Sequence, residues 1–178
     1  MALRDTLPVS LPRFRLALPP LGVSFAIAWL VVMIVIALGA DAIRPYSITA
    51  FDLKARLTEP FQSFRHLLGT DELGRDVLSR LIVSIQMSLL IALCGTLIAA
   101  TLGTLLGFLA AHFRGRLEQL VLVAIDFQAS MPFMIIALSV LAFFGNSLPL
   151  FIGLMGFHSW ERYARITRGL TISANEQG

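Results

Sequence analysis

The stretch between Arg80 and Arg114 constrains the fold of this chain most, because it contains no Asp, Glu, Lys or Arg. Residues 84 to 111 read "SIQMSLLIALCGTLIAATLGTLLGFLAA". A helix rises about 1.5 Å per residue and crosses a hydrocarbon core of about 30 Å in about 20 residues. The stretch is therefore long enough to span a bilayer. Only 14% of the whole chain is charged, against about 25% in an average soluble domain, so the sequence predicts an all-α membrane protein.

Three further apolar stretches extend this prediction to about four transmembrane helices. The first covers residues 16–40, and the small residues that end it allow a signal peptide as an alternative. Its apolar part is longer than that of a signal peptide, which favours an uncleaved helix. The third covers about 118–143. The fourth begins near Leu148 and spans the membrane only if its helix continues past Glu161, with Arg162 and Arg165 reaching to the surface.

The distribution of basic residues predicts an N-terminus on the cytoplasmic side. The 1–15 tail, the 112–118 loop and the C-terminal part would then lie inside, where basic residues concentrate. The 41–83 segment would lie outside, although it carries six basic residues and so weighs against this orientation. The basic residues placed inside are Arg4, Arg13, Arg15, Arg114, Arg116, Arg162, Arg165 and Arg168.

Three glycines of the central stretch predict a site of helix packing. Gly95, Gly103 and Gly107 are spaced by eight and four residues, so they share one face of a helix. Gly103 and Gly107 form a GxxxG pair, which lets another helix backbone approach closely. Glycine is also common in membrane helices without a special role, and that interpretation stays open here.

The third stretch contains two residues that are unusual inside a membrane helix. Pro132 cannot donate a backbone hydrogen bond, which predicts a kink. Asp126 carries an ionisable group that must face protein, water or the interface. It is either a carboxylate that anchors the helix, by pairing with an arginine or capping a backbone group, or a group that directly contacts a substrate or an ion.

The segment "HLLGTDELGRDVLSRL" (66–81) concentrates charge between two apolar stretches. Its pattern predicts a helix over about 70–85, with Gly69 before it and Thr70 or Asp71 as the N-cap. Asp71 and Arg75 are four residues apart, as are Asp76 and Arg80, the spacing of helical ion pairs. Whether these arginines pair within the chain or reach a second protein stays open.

The sequence contains no recognisable catalytic, cofactor or metal site. The carboxylates of the 66–81 segment have arginine partners within reach, so we expect no metal there. The only lysine, Lys54, lacks the glycines of a phosphate-binding loop, so any ATPase must be a separate subunit. The basic residues form no face for nucleic acid.

The 66–81 segment resembles a recurring signature, "GTDxxGRDxxSR", of permeases of the dipeptide, oligopeptide and nickel ABC importer family. "IDFQASMPF" and "SWERYARITRG" resemble later parts of the same family, and the resemblance runs in order from about Leu16 to Gly178. The matched signature residues are Gly69, Thr70, Asp71, Gly74, Arg75, Asp76, Ser79 and Arg80.

The resemblance implies a fold and a set of partners. The fold is a MetI-like ABC importer transmembrane domain, of which residues 84–178 would be the N-terminal part, after a 1–15 tail, a 16–40 helix and a 41–83 external loop. The partners are a second permease subunit, two cytoplasmic ATP-binding subunits and an external substrate-binding protein. The implied function is import of peptides, or of nickel or other small solutes, across the bacterial inner membrane by alternating access.

One departure from the family pattern concerns the C-terminal part. The family has a coupling helix of the form E-A-A-x-x-x-G after the position of Arg168 that docks into the ATPase, followed by two more spans. Here "LTISANEQG" follows instead, and we expect a permease truncated before these elements. A membrane scaffold or assembly fragment and a small membrane enzyme are the alternatives.

Overall fold

The computed structural model describes residues 20–176, so the predicted 1–15 tail and residues 16–19 lie outside the described part. Within that range the regular structure is helical, apart from two isolated β-bridges and one 3₁₀ turn, Leu53–Ala55. The helices are α1 Leu21–Leu38, α2 Ala40–Ile43, α3 Val77–Phe113, α4 Gly115–Ser130, α5 Phe133–Phe144 and α6 Leu148–Glu176.

Two of these helices, α1 and α3, are long and apolar enough to cross a membrane. The pair α4 and α5 would make a third span, although the two helices meet at an angle of 86°. The count in the described part is therefore two or three, against the four expected from the sequence. Helix α6 has 29 residues, but Glu161, Arg162 and Arg165 place three charges in its middle, so it is not among the helices apolar enough to cross a membrane.

Helices α3 and α6 pack against each other in parallel. Gly95 of α3 faces Met155 of α6, and Gly107, three turns further along, faces Ala164. Parallel neighbours start at the same end, so the chain between Phe113 and Leu148 must return along the bundle. Helices α4 and α5 make this return, which fits one broken span better than a re-entrant loop.

The core lies where α3, α4 and α6 meet. It consists of Ala110, Val121, Ile125, Trp160 and Ala164, all buried. Larger apolar side chains of α3, such as Leu93 and Leu105, point outward and are more than half exposed. Small residues inside and large apolar residues outside are the arrangement expected of helices that pack within lipid.

Residues 44–76, which we call the cap, connect α2 to α3. Backbone hydrogen bonds join its two halves, from Asp52 to Gly74 (3.1 Å), from Leu57 to Asp71 (3.3 Å) and from Thr70 to Thr58 (3.1 Å). The cap is therefore a folded loop held at the N-terminal end of α3. The helix predicted over 70–85 begins only at Val77, because residues 70–76 form a turn.

Candidate functional site

The contact between α3 and α6 depends on glycine. A Cβ atom at Gly103 would lie 2.6 Å from the Cβ of Tyr163, and one at Gly107 would lie 2.9 Å from the Cα of Ala164. Real Cβ atoms do not approach other atoms this closely, and backbone cannot move aside as a flexible side chain can. Gly156 of α6 contributes in the same way, since its Cβ would lie 2.6 Å from the Cβ of Ile98. The face predicted from glycine spacing thus lies against α6 of the same chain.

An ion pair fixes α4 against the far half of α6. The Nε atom of Arg168 donates to Oε1 of Glu118 over 2.9 Å, and Nη2 donates to the same oxygen. Both side chains are mostly buried. No local pattern points to Glu118, because its partner is 50 residues away. The pair places the start of α4 and the Arg168 region of α6 at the same end of the bundle.

A polar contact holds the other end of α4. Gln128 donates from Nε2 to the backbone oxygens of Phe157 (2.8 Å) and His158 (3.1 Å), and its Oε1 accepts a hydrogen bond from Nε1 of Trp160 (2.9 Å). One side chain thus binds α6 at three points. Sequence reasoning missed Gln128, since an isolated glutamine carries no pattern that indicates its partners.

The chain breaks immediately after this contact. Met131 ends α4 and Pro132 is the N-cap of α5, with an 86° bend between the helices. Pro132 therefore marks a break, which is larger than the kink expected from the sequence. The bend leaves a cavity of about 360 Å³ against α6, lined mainly by apolar side chains together with Gln128 and His158. The His158 ring stacks on Phe133 with centroids 4.0 Å apart.

Asp126, the predicted pathway or anchoring residue, lies on an exposed face of α4. Within residues 20–176 its side chain makes no ion pair; Glu118, two turns earlier, is the α4 carboxylate that pairs with arginine. The structure therefore does not bring Asp126 together with the glycine face or with the signature residues of the cap.

Asp71 organises the signature turn of the cap. Its Oδ1 accepts hydrogen bonds from the backbone N–H groups of Leu73 and Arg75, both over 2.9 Å, and its Oδ2 accepts from Nε of Arg75 over 2.8 Å. Arg80 donates to the same Oδ2. The hydrogen bond from the Arg75 backbone, with those from the Arg75 side chain and the Leu73 backbone, holds the pKa of Asp71 well below its ordinary value.

Asp76, rather than Thr70 or Asp71, is the N-cap of α3. Its Oδ2 accepts from the backbone N–H and the hydroxyl of Ser79, both over 2.7 Å, and its Oδ1 lies 3.0 Å from Nδ1 of His66. The predicted pair of Asp76 with Arg80 is wrong, because α3 begins after Asp76 and Arg80 turns to Asp71. Burial pushes the pKa of Asp76 upward, but the hydrogen bonds from Ser79 and His66 outweigh it and lower the pKa overall.

Ser79 and Thr70 link this turn to earlier parts of the cap. The backbone N–H of Tyr46 donates to Oγ of Ser79 over 3.1 Å. Oγ1 of Thr70 accepts from the backbone N–H of Thr58 over 3.0 Å and donates to the backbone oxygen of Ala55. Both side chains are buried. Their hydroxyl groups thus replace water as partners for backbone groups of the cap.

Gly69 and Gly74 are required by both conformation and space. Their φ angles are +76° and +73°, a region that side chains disfavour. A Cβ at Gly69 would lie 3.2 Å from the carbonyl carbon of Glu59, and one at Gly74 would lie 2.5 Å from that of Asp52. All eight signature residues therefore meet in one compact structure that positions the start of α3.

Comparison with known proteins identifies several relatives. The nickel transport system permease protein NikC of Escherichia coli K12 is 32% identical over 156 residues, which is 88% of this chain and 56% of that protein. The oligopeptide transport system permease protein OppC of Haemophilus influenzae is 30% identical over 129 residues, 72% of this chain and 42% of that protein. The probable D,D-dipeptide transport system permease protein DdpC of Escherichia coli K12 is 35% identical over 129 residues, with the same coverage of 72% and 42%.

No protein-family model matches the chain. The chain spans about half the length of the curated relatives it matches. The relatives are permease proteins of nickel and peptide transport systems, and the helical membrane fold with its signature turn agrees with them. This chain belongs to the permease family of the nickel and peptide ABC importers.

Proposed function

We propose that this chain acts in a permease subunit of an ATP-driven importer of the bacterial inner membrane. Its cargo is a peptide, with nickel or another small solute as the alternative cargo that the relatives' names suggest. The observation that carries the proposal is the similarity to these permeases, which covers 72% to 88% of the chain. The role of the chain is to form part of the transport pathway, which opens by alternating access.

The proposed partners follow from what a permease must do. A second permease subunit completes the pathway, two cytoplasmic ATP-binding subunits supply the free energy, and an external binding protein delivers the cargo.

The proposed orientation places the N-terminus and the α3–α4 connection in the cytoplasm and the cap outside. The ion pair of Glu118 with Arg168 supports it, since this contact brings Arg168 to the same end as Arg114 and Arg116. Arg114, Arg116 and Arg168 then lie at the cytoplasmic end, as the positive-inside rule favours, whereas the six basic residues of the 41–83 segment lie outside and weigh against this orientation. The cap lies at the opposite end, where α3 begins.

Co-purification tests the proposal. The chromosomal gene is fused to an affinity tag, and its product is isolated in mild detergent and examined by mass spectrometry and ATPase assay. We expect an ATP-binding subunit and a second permease in the sample, with ATP hydrolysis that a binding protein or cargo stimulates. A stable, monodisperse product that retains neither subunit would contradict the proposed function. A tagged unrelated membrane protein is the control.

A further inference from the structure

The cap carries an apolar groove that the permease proposal does not explain. Its volume is about 400 Å³, and its walls are Ile48, Thr49, Phe51, Leu53 and Leu73, with Arg75 at the edge. Phe51 and Leu53 are more than 60% exposed, which is unusual for large apolar side chains in a folded loop. An exposed apolar surface of this kind normally meets a membrane or another protein.

The groove lies next to the start of α3. Leu73 forms one of its walls, and Val77 and Leu81 follow in the first turns of α3. All three side chains are exposed. Helix α3 is long and apolar enough to span the bilayer. The exposed apolar side chains of the groove are thus followed directly along the chain by those of a helix that can span the bilayer.

A guanidinium group with free donors lies beside the groove. Arg75 lines the groove, and both Arg75 and Arg80 pair with Asp71. Arg80 is about half exposed and keeps donors free for a further acceptor. Glu72 is exposed on the same turn and offsets the positive charge, so the free donors of Arg80, and not a net positive charge, are what an anionic group would bind.

We propose that the groove binds a phospholipid of the leaflet at the N-terminal end of α3. An acyl chain occupies the space between Phe51, Leu53 and Leu73, and the phosphate accepts hydrogen bonds from Arg75 and Arg80. Guanidinium groups bind phosphate through paired, charge-assisted hydrogen bonds, and apolar side chains beside basic ones are typical of surfaces that lie in the membrane interface. The bound lipid would hold the cap against the membrane.

Fluorescence quenching in lipid nanodiscs tests the apolar half of this proposal. Cys94 is first changed to Ala, and a single cysteine introduced by Leu53→Cys is labelled with an environment-sensitive nitrobenzoxadiazole fluorophore. A Gln62→Cys variant, in a turn that does not line the groove, is the matched control. We expect nitroxide-labelled phospholipid to quench the label at 53 at least twofold more than at 62, and aqueous iodide to show the reverse order.

Native mass spectrometry tests the charged half. The protein is released from nanodiscs of phosphatidylcholine and phosphatidylglycerol, and retained lipid is counted. We expect Arg80→Gln to lower retained phosphatidylglycerol severalfold relative to an Arg65→Gln control, because Arg65 neither lines the groove nor pairs with Asp71 beside it. Equal quenching at 53 and 62, or unchanged lipid retention in Arg80→Gln, would overturn the proposal. A third outcome would also overturn the proposal: iodide reaches the label at position 53 and is excluded only when a binding protein is added. The groove would then be a docking site for that protein.

Discussion

The contact between α3 and α6 makes a sharp prediction about two glycines on the same helix face. Gly103→Ala places a Cβ 2.6 Å from the Cβ of Tyr163 and 2.9 Å from the backbone nitrogen of Ala164, whereas Gly95→Ala places one 3.6 Å from the Cβ of Met155. The first change forces the helices apart, and the second makes an ordinary van der Waals contact. The same substitution in the same helix should therefore have opposite effects.

The expected magnitudes follow from this geometry. Overpacking a tight contact costs about 1–3 kcal/mol, so Gly103→Ala should lower the free energy of unfolding by that amount. Replacing glycine by alanine where there is space stabilises by about 0.4–1 kcal/mol, so Gly95→Ala should be neutral or slightly stabilising. The gap is about 2 kcal/mol, which is roughly a 30-fold difference in the folding equilibrium. Gly103→Leu should cost more than Gly103→Ala.

Unfolding in mixed micelles of a mild detergent and dodecyl sulfate measures this gap. Helix content is followed by circular dichroism, and the midpoints of the two alanine variants are compared with that of the unchanged protein. Gly153→Ala is a further control, because nothing lies within 4 Å of the added Cβ. Equal midpoints for Gly103→Ala and Gly95→Ala would refute the close parallel packing of α3 and α6.

Three further predictions concern other contacts. A double-mutant cycle with Glu118→Gln and Arg168→Gln should give a coupling free energy of about 1 kcal/mol in the same assay, since the pair is mostly buried; additive effects would show that the pair is not formed. Because folding lowers the pKa of Asp71, its carboxylate stabilises the cap fully at any pH above 3.8, the ordinary pKa of the group. This stabilisation is lost progressively as the pH falls below that value. Amide hydrogen exchange in the cap, corrected for intrinsic rates, should show protection falling below about pH 4 in the unchanged protein but not in Asp71→Asn, and identical profiles would contradict this role. Gly74→Ala should abolish the protection of the cap from proteolysis, because the added Cβ collides with the backbone of Asp52. Gly115→Ala has a similar φ of +63° but open space around the added Cβ, so it should lower the free energy of unfolding by only about 1 kcal/mol. Equal sensitivity of the two variants to proteolysis would count against the close approach of Gly74 to Asp52.

Local patterns predicted the parts of this fold that depend on local physics. The absence of charge between Arg80 and Arg114 predicted the long helix α3, and the spacing of Gly95, Gly103 and Gly107 predicted a buried face. Pro132 predicted a kink in the third stretch, where the structure has a larger break. In each case the signal lies in the residues that form the element.

Contacts between distant residues explain what the sequence could not predict. The start of α3 was placed too early, because Asp71 and Asp76 both have the chemistry of an N-cap and only the fold of the cap selects between them. Arg80 pairs with Asp71 instead of Asp76 for the same reason. Glu118 and Gln128 find partners in α6 only after the chain has returned along the bundle.

Uptake by living cells tests the central claim, that this chain works in an ATP-driven importer, most directly. The chromosomal coding region is deleted in frame, and uptake of a radiolabelled tripeptide and of ⁶³Ni²⁺ is measured with and without depletion of cellular ATP. We predict that the deletion abolishes the ATP-dependent uptake of one of these solutes, that the restored gene recovers it, and that the gene carrying Gly103→Leu does not. Uptake of an amino acid by an unrelated system serves as the control. Unchanged uptake of both the tripeptide and Ni²⁺ in the deletion strain would contradict the account.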